Sequence, residues 1–108
     1  MASEISCRDL AARIAAGEPI HLLDVRQPDE HAFAALPASQ LIPLNELPLR
    51  FAEIAAGEDR TVVVYCHHGV RSLMAANFLL SKGFSSVLSL AGGIDAWSRK
   101  VDPAMPRY

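Results

Sequence analysis

The sequence predicts an α/β domain: a central parallel sheet with helices on both faces. Three observations predict it. Short apolar runs alternate with helix-like stretches along the chain, an order that fits a covered parallel sheet. The clearest strand, Thr61-Val62-Val63-Val64-Tyr65, is β-branched through its first four residues. The helix-like stretches end at glycines, as helix C-termini do. At 108 residues, 51% of them hydrophobic, the chain can bury one core, so a single domain over 1–108 is expected.

In order along the chain, Ser6 is placed to cap a helix over Cys7–Ala16, with Leu10, Ile14 and the alanines on one face and Gly17 as its stop. Ile20–Leu23 reads as a buried strand ending at Asp24. Pro28 is placed to open a short helical turn. Leu41-Ile42 is a very short strand before Pro43, and Leu47–Ala56 a helix closed by Gly57. After Thr61–Tyr65 comes a loop, then an apolar helix over Ser72–Lys82 stopped by Gly83. Val87–Leu90 is a further strand, Ala91-Gly92-Gly93 a tight turn, and Ile94–Lys100 a last short helix. The tail, Val101–Tyr108, holds two prolines and is expected to lie extended on the surface.

The net charge of -2 gives no sign of a nucleic-acid or membrane partner, and no apolar run reaches the roughly 18–20 residues that span a bilayer. The first residues lack a basic segment followed by an apolar one, so they do not read as a signal peptide and a cytoplasmic protein is expected. The cysteines, Cys7 and Cys66, form no C-x-x-C pair, and a disulfide between them does not fit a reducing compartment.

In a parallel sheet the C-terminal strand ends share one edge, where ligands bind. Asp24 and Arg26, the loop from Cys66, and Gly92-Gly93 should gather there. The richest stretch is Cys66-His67-His68-Gly69-Val70-Arg71-Ser72, a cysteine leaving a strand, a loop with glycine, and a helix start. Such a loop turns backbone N–H groups inward, and the helix adds its positive end. A sulfur at the centre would be held as an anion and act as a nucleophile. Gly69 permits a positive φ, Arg71 offers a permanent cation for an oxyanion, and Ser72 can cap the helix or bond the sulfur.

Taken together, these segments resemble the rhodanese family over nearly the whole chain. Leu23-Asp24-Val25-Arg26-Gln27-Pro28-Asp29-Glu30-His31 is similar to its first signature. Leu36-Pro37-Ala38-Ser39 and Ile42-Pro43-Leu44 match the middle segment, Cys66–Ser72 the catalytic loop, and Leu90-Ala91-Gly92-Gly93-Ile94-Asp95-Ala96-Trp97 the closing signature. Ala34-Ala35 stand where the family often has Gly-His, and Ala38 where it has Gly, which affects a loop more than the sulfur chemistry. The resemblance implies a rhodanese-like α/β fold, with a central parallel sheet of about five strands. It also implies a sulfurtransferase that carries sulfur as a Cys66 persulfide. Four residues separate Cys66 from Arg71. Cysteine-dependent phosphatases of the wider superfamily carry a longer loop, so sulfur transfer is favoured over phosphate-ester or arsenate chemistry.

On this reading Cys66 is catalytic. His67, His68, Gly69, Val70, Arg71 and Ser72 bind substrate, and Asp24 and Arg26 support the strand end as an ion pair rather than a catalytic pair. The donor would be a small thiosulfate-like anion. The acceptor would be a thiol, cyanide or a thiol-containing protein, and the protein would be a monomer needing no cofactor. No metal site is expected, since adjacent histidines rarely reach one ion and no further ligand pair is evident. Cys7 is a spectator, Trp97 a core residue, and Gly92-Gly93 a close-packing element. Glu46, Glu53, Glu58 and Asp59 are solvated charges. Two other classes compete: a persulfide carrier serving a dedicated protein, and a regulatory module, a role played by family members that lack the cysteine.

Overall fold

A computed structural model of the chain describes residues 2–54 and 60–108. Five strands form one parallel sheet: β1 (Ser3–Ile5), β2 (Ile20–Asp24), β3 (Gln40–Leu41), β4 (Thr61–Tyr65) and β5 (Val87–Leu90), in the order β1-β5-β4-β2-β3. Among the described residues four α-helices lie between strands, α1 (Cys7–Ala15), α2 (Pro28–Phe33), α3 (Leu47–Arg50) and α4 (Val70–Ser81), and α5 (Gly93–Lys100) follows the last strand. The doubly covered sheet expected from the alternation is therefore present.

Alternation along β4 shows how the two faces fill. Val63 and Tyr65 pack with Leu10 of α1 and Ile94 and Trp97 of α5. Val62 and Val64 pack on the other side with Ala75, Ala76 and Leu79 of α4 and Leu47 of α3. Each large aliphatic side chain removed from water in this way contributes about 1.5–3 kcal/mol. Cys66 continues the second set, whereas Cys7 lies in the first. The sheet stands between them and both thiols are free.

Local signals explain most boundaries. The Ser6 side chain accepts the Asp9 N–H at 3.1 Å, capping α1. Pro28 occupies the first turn of α2, whose Glu30 carboxylate accepts the Gln27 N–H at 2.9 Å. Three expectations need correction. The pairing of the short third strand is Leu23↔Gln40 and Asp24↔Leu41, so it lies one residue earlier than Leu41-Ile42. The expected helix over Leu47–Ala56 is one α turn between two 3-10 turns, Leu44–Glu46 and Phe51–Glu53. Within that α turn Leu47 alone is buried and Leu49 is 91% exposed, so no apolar stripe extends the helix. Ala55–Asp59, including Gly57, Glu58 and Asp59, lie outside the described residues.

The third correction is the tail. It does not lie extended. The Met105 N–H turns back to Asp102 at 3.0 Å, Met105 packs against the α1/α5 core, and Tyr108 reaches the edge that carries Cys66. Among the described residues no helix is long and apolar enough to cross a membrane.

Candidate active site

Cys66 stands at the end of β4, where the strand's backbone is fixed by neighbours on both sides. Its own carbonyl accepts the Ile94 N–H at 2.9 Å, and the carbonyl of His67 accepts the Asp95 N–H at 3.1 Å. These bonds dock the start of α5 against the loop. Gly93 makes the approach possible: a Cβ there would collide with the carbonyl oxygens of Cys66 and His67, and its φ is +61°. Gly92-Gly93 thus packs closely on the loop, as expected.

The loop then curls around the sulfur. Gly69, at φ +111°, ends it and opens α4 two residues earlier than predicted. The N–H groups of Gly69 and Ser72 point at Cys66 Sγ, at 3.1 and 3.3 Å, and Ser72 Oγ lies 3.6 Å away. Ser72 is itself fixed by donation to the Gly69 carbonyl at 3.1 Å and by a 2.8 Å contact with Ser89 Oγ. Cys66 is 1% exposed. The sulfur therefore sits at the positive end of α4 with two amide donors on it, an arrangement that stabilises negative charge on sulfur. The direct amide donors to Sγ are those of Gly69 and Ser72.

The remaining predicted residues divide. Arg71 is at the rim but engaged: Nη1 and Nη2 donate to the two Glu30 oxygens at 2.9 and 3.1 Å. That fork holds the Glu30 carboxyl down to about 2, with Arg71 the chief cause. Val70 is exposed at the helix start, and His68 is exposed as expected. His67 is not. Its ring lies between His68 and Tyr108, at centroid distances of 4.0 Å to each, and its Nε2 is buried without a hydrogen-bond partner. Burial, seconded by His68, pushes the His67 pKa down.

Asp24 and Arg26 form a buried fork, Nε to Oδ1 at 2.9 Å and Nη2 to Oδ2 at 2.7 Å, with both side chains fully covered. Arg26 also donates to the Ala34 carbonyl at 2.6 Å, and Asp24 takes a 2.8 Å contact from His31 Nδ1. Each charge is thus paired and hydrogen-bonded, and none of these contacts is to Cys66 Sγ.

Three residues were missed as site members. Glu30 stands inside the Asp24–His31 segment, four residues after Arg26, and its charge is the signal that marks it as a partner for Arg71. Tyr108 bears no local signal; its place follows from the turn of the tail. Asp95 lies on the first turn of α5, where His67, His68 and Asp95 bring donor atoms within 4.8 Å of one another. Sequence reasoning did not pair Asp95 with the histidines. The same carboxylate accepts Arg99 at 2.9 Å and Arg107 at 3.5 Å, and these two cations oppose a third beside them. A groove of about 450 Å³ lies away from this edge, lined by Ala11, Ile14, Ile20 and Trp97 with Glu18 and His21, and no cysteine faces it.

Comparison with known proteins agrees with this geometry. The family model for the rhodanese-like domain matches residues 6–100. A sulfurtransferase of Allochromatium vinosum is 40% identical over 99 residues, covering 92% of this chain and 91% of that protein. The putative sulfur carrier protein YrkF of Bacillus subtilis is 32% identical over 99 residues, and there the match spans 52% of the protein. Several other relatives are longer still, the match spanning 30%, 24% and 27% of three of them. Among solved structures, the human single-domain sulfurtransferase TSTD1 superposes with a TM-score of 0.77 at 30% identity, over 93% of this chain and 98% of that one. The buried cysteine under two amides, the loop docked by Gly93 and the five-stranded parallel sheet thus meet in one chain, which belongs to the rhodanese-like sulfurtransferase family.

Proposed function

We propose that the protein transfers a sulfane sulfur through a persulfide on Cys66. The observation that carries this reading is the pair of amides, Gly69 N–H and Ser72 N–H, directed at the Cys66 thiol at 3.1 and 3.3 Å in a short loop at the start of α4. In the first half-reaction the Cys66 thiolate attacks the outer sulfur of thiosulfate. The new S–S bond forms as the donor's own S–S bond breaks, and sulfite leaves with that bond's electron pair. Charge balances: a thiolate and a dianion become a persulfide anion and sulfite. In the second half-reaction a thiolate or cyanide attacks the terminal sulfur, and the Cys66 thiolate is the leaving group.

Preorganised N–H donors of this kind stabilise such developing charge by about 3–4 kcal/mol each where they have been removed. Arg71 stands at the rim where the donor's oxyanion would arrive, paired with Glu30, and Ser72 keeps the helix start in place. The reading requires no metal or organic cofactor. Two thiols on opposite sides of the sheet fit a reducing, cytoplasmic setting.

A second reading, delivery of the sulfur to a protein acceptor, is supported by exposed apolar residues beside the loop. Val70 and Met74, one helical turn apart on α4, are 73% and 59% exposed. Kinetics separate the two. A turnover enzyme is fast with small thiol acceptors, whereas a dedicated carrier loads from donors and discharges slowly to them. The common chemistry is tested by Cys66→Ser, which should abolish thiosulfate:cyanide transfer, while full activity in that variant overturns both readings.

A further inference from the structure

The cation that the proposed chemistry would use for an anionic donor is already satisfied. Both terminal nitrogens of Arg71 donate to Glu30. Glu30 is pinned in turn: it accepts the Gln27 N–H at 2.9 Å and the Tyr108 phenol at 2.7 Å. The same phenol oxygen accepts Arg26 Nη1 at 2.8 Å, and Arg26 is locked to Asp24. The Tyr108 ring lies flat on His67, 4.0 Å away at 10°, and meets Phe33 edge-on at 5.7 Å. The carboxylate cannot swing off Arg71 without giving up bonds to a backbone amide and to a phenol that is itself held on three sides.

An incoming anion thus meets a neutralised guanidinium with a fixed negative charge beside it. The penalty that Glu30 adds grows with the charge of the donor, because its repulsion scales with that charge and offsets the attraction of Arg71. Resting on the persulfide reading above, we propose that Glu30, positioned by Tyr108, sets donor selectivity at this site: it disfavours doubly charged donors such as thiosulfate relative to singly charged ones such as thiosulfonates. Glu30 acts as the charged filter, and Tyr108 is a positioning residue that acts through it.

The test compares two donors that deliver the same atom, thiosulfate with two negative charges and benzenethiosulfonate with one. In a ping-pong scheme kcat/KM for the donor reports the donor half-reaction alone. The thiosulfate:benzenethiosulfonate ratio of kcat/KM should rise about fivefold in Glu30→Gln, the scale of one partly exposed charge contact. It should rise about two- to threefold in Tyr108→Phe, which keeps the ring over His67 and removes both phenol hydrogen bonds. General structural damage lowers both donors together and leaves the ratio unchanged. An unmoved or lowered ratio in Glu30→Gln overturns the inference even where Cys66 still takes up sulfur. A rise in Glu30→Gln with none in Tyr108→Phe overturns the role of Tyr108. If neither donor loads Cys66 at all, the persulfide reading has failed instead. The filter is then read by protection of Cys66 against iodoacetamide: sulfate should protect Glu30→Gln more than wild type, with methanesulfonate little changed, and equal protection by sulfate overturns it.

Discussion

The molecule holds two cysteines that are equally hidden and oppositely surrounded. Cys66 is 1% exposed and Cys7 3%. Around Cys66 the backbone presents N–H groups, from Gly69 and Ser72. Around Cys7 it presents carbonyls: Sγ lies 3.8 Å from the Ala91 oxygen and 3.9 Å from that of Gly93. Amides favour a thiolate or persulfide, carbonyls favour a protonated thiol, and burial of Cys7 pushes its pKa up further. Burial alone therefore says nothing about the reactivity of a cysteine here. On the proposed reading the sign of the backbone dipoles at the sulfur decides it.

The largest expected effect comes from breaking the cradle. Gly69→Ala forces an L side chain into a φ of +111°, against the Gly92 nitrogen and Leu90 oxygen at 3.4 and 3.5 Å. It should lower the rate of sulfur loading by about 100-fold, the scale seen when one preorganised donor is lost, measured by single-turnover thiosulfate kinetics. The matching change at the other cysteine, Cys7→Ser, should leave loading within about twofold, since its hydroxyl can donate to the same carbonyls. Equal losses from the two would erase the distinction between them.

A smaller effect is expected from acid. The folded-state pKa of Glu30 is depressed to about 2 from 4.5, so its contribution to stability is complete above about 4.5 and is lost as pH falls toward 2. His67 has the same sign through another cause: burial favours its neutral form, so the unfolded chain takes up its proton first and stability declines as pH falls below 6.5. Denaturant titrations should show both declines in wild type, with the acid one flattened in Glu30→Gln and the other in His67→Phe. The smallest effect concerns the one non-glycine residue described with positive φ, Ala38 at +60°. Ala38→Gly should raise stability by about 1 kcal/mol in the same titrations, because it relieves a left-handed alanine.

Much of this was legible from the sequence because the signals are local. Thr61–Tyr65 and Val87–Leu90 are strands at the predicted bounds, since β-branched or apolar runs between turn signals leave few options. The Cys66 cradle was legible for a related reason: strand, glycine, arginine and helix start follow one another within a few residues. Ala38 shows a limit. The backbone keeps a left-handed turn there although the residue is not a glycine. What was hidden depends on contacts distant in sequence. Tyr108 meets Arg26 across 82 residues and Glu30 across 78, and no periodicity or motif reports a bond of that kind. His67 was expected at the mouth because a loop histidine is usually solvated; Tyr108 of the returning tail covers one face of its ring and leaves the residue half-buried.

The central claim is that amide-lined sulfur, and not burial, selects the reactive cysteine. It is tested most directly by incubating the protein with thiosulfate and mapping the adduct by peptide mass spectrometry under non-reducing conditions. The account predicts one added sulfur, about 32 Da, on the peptide holding Cys66 and none on the peptide holding Cys7. Sulfur on Cys7, or on both cysteines to the same extent, would contradict it.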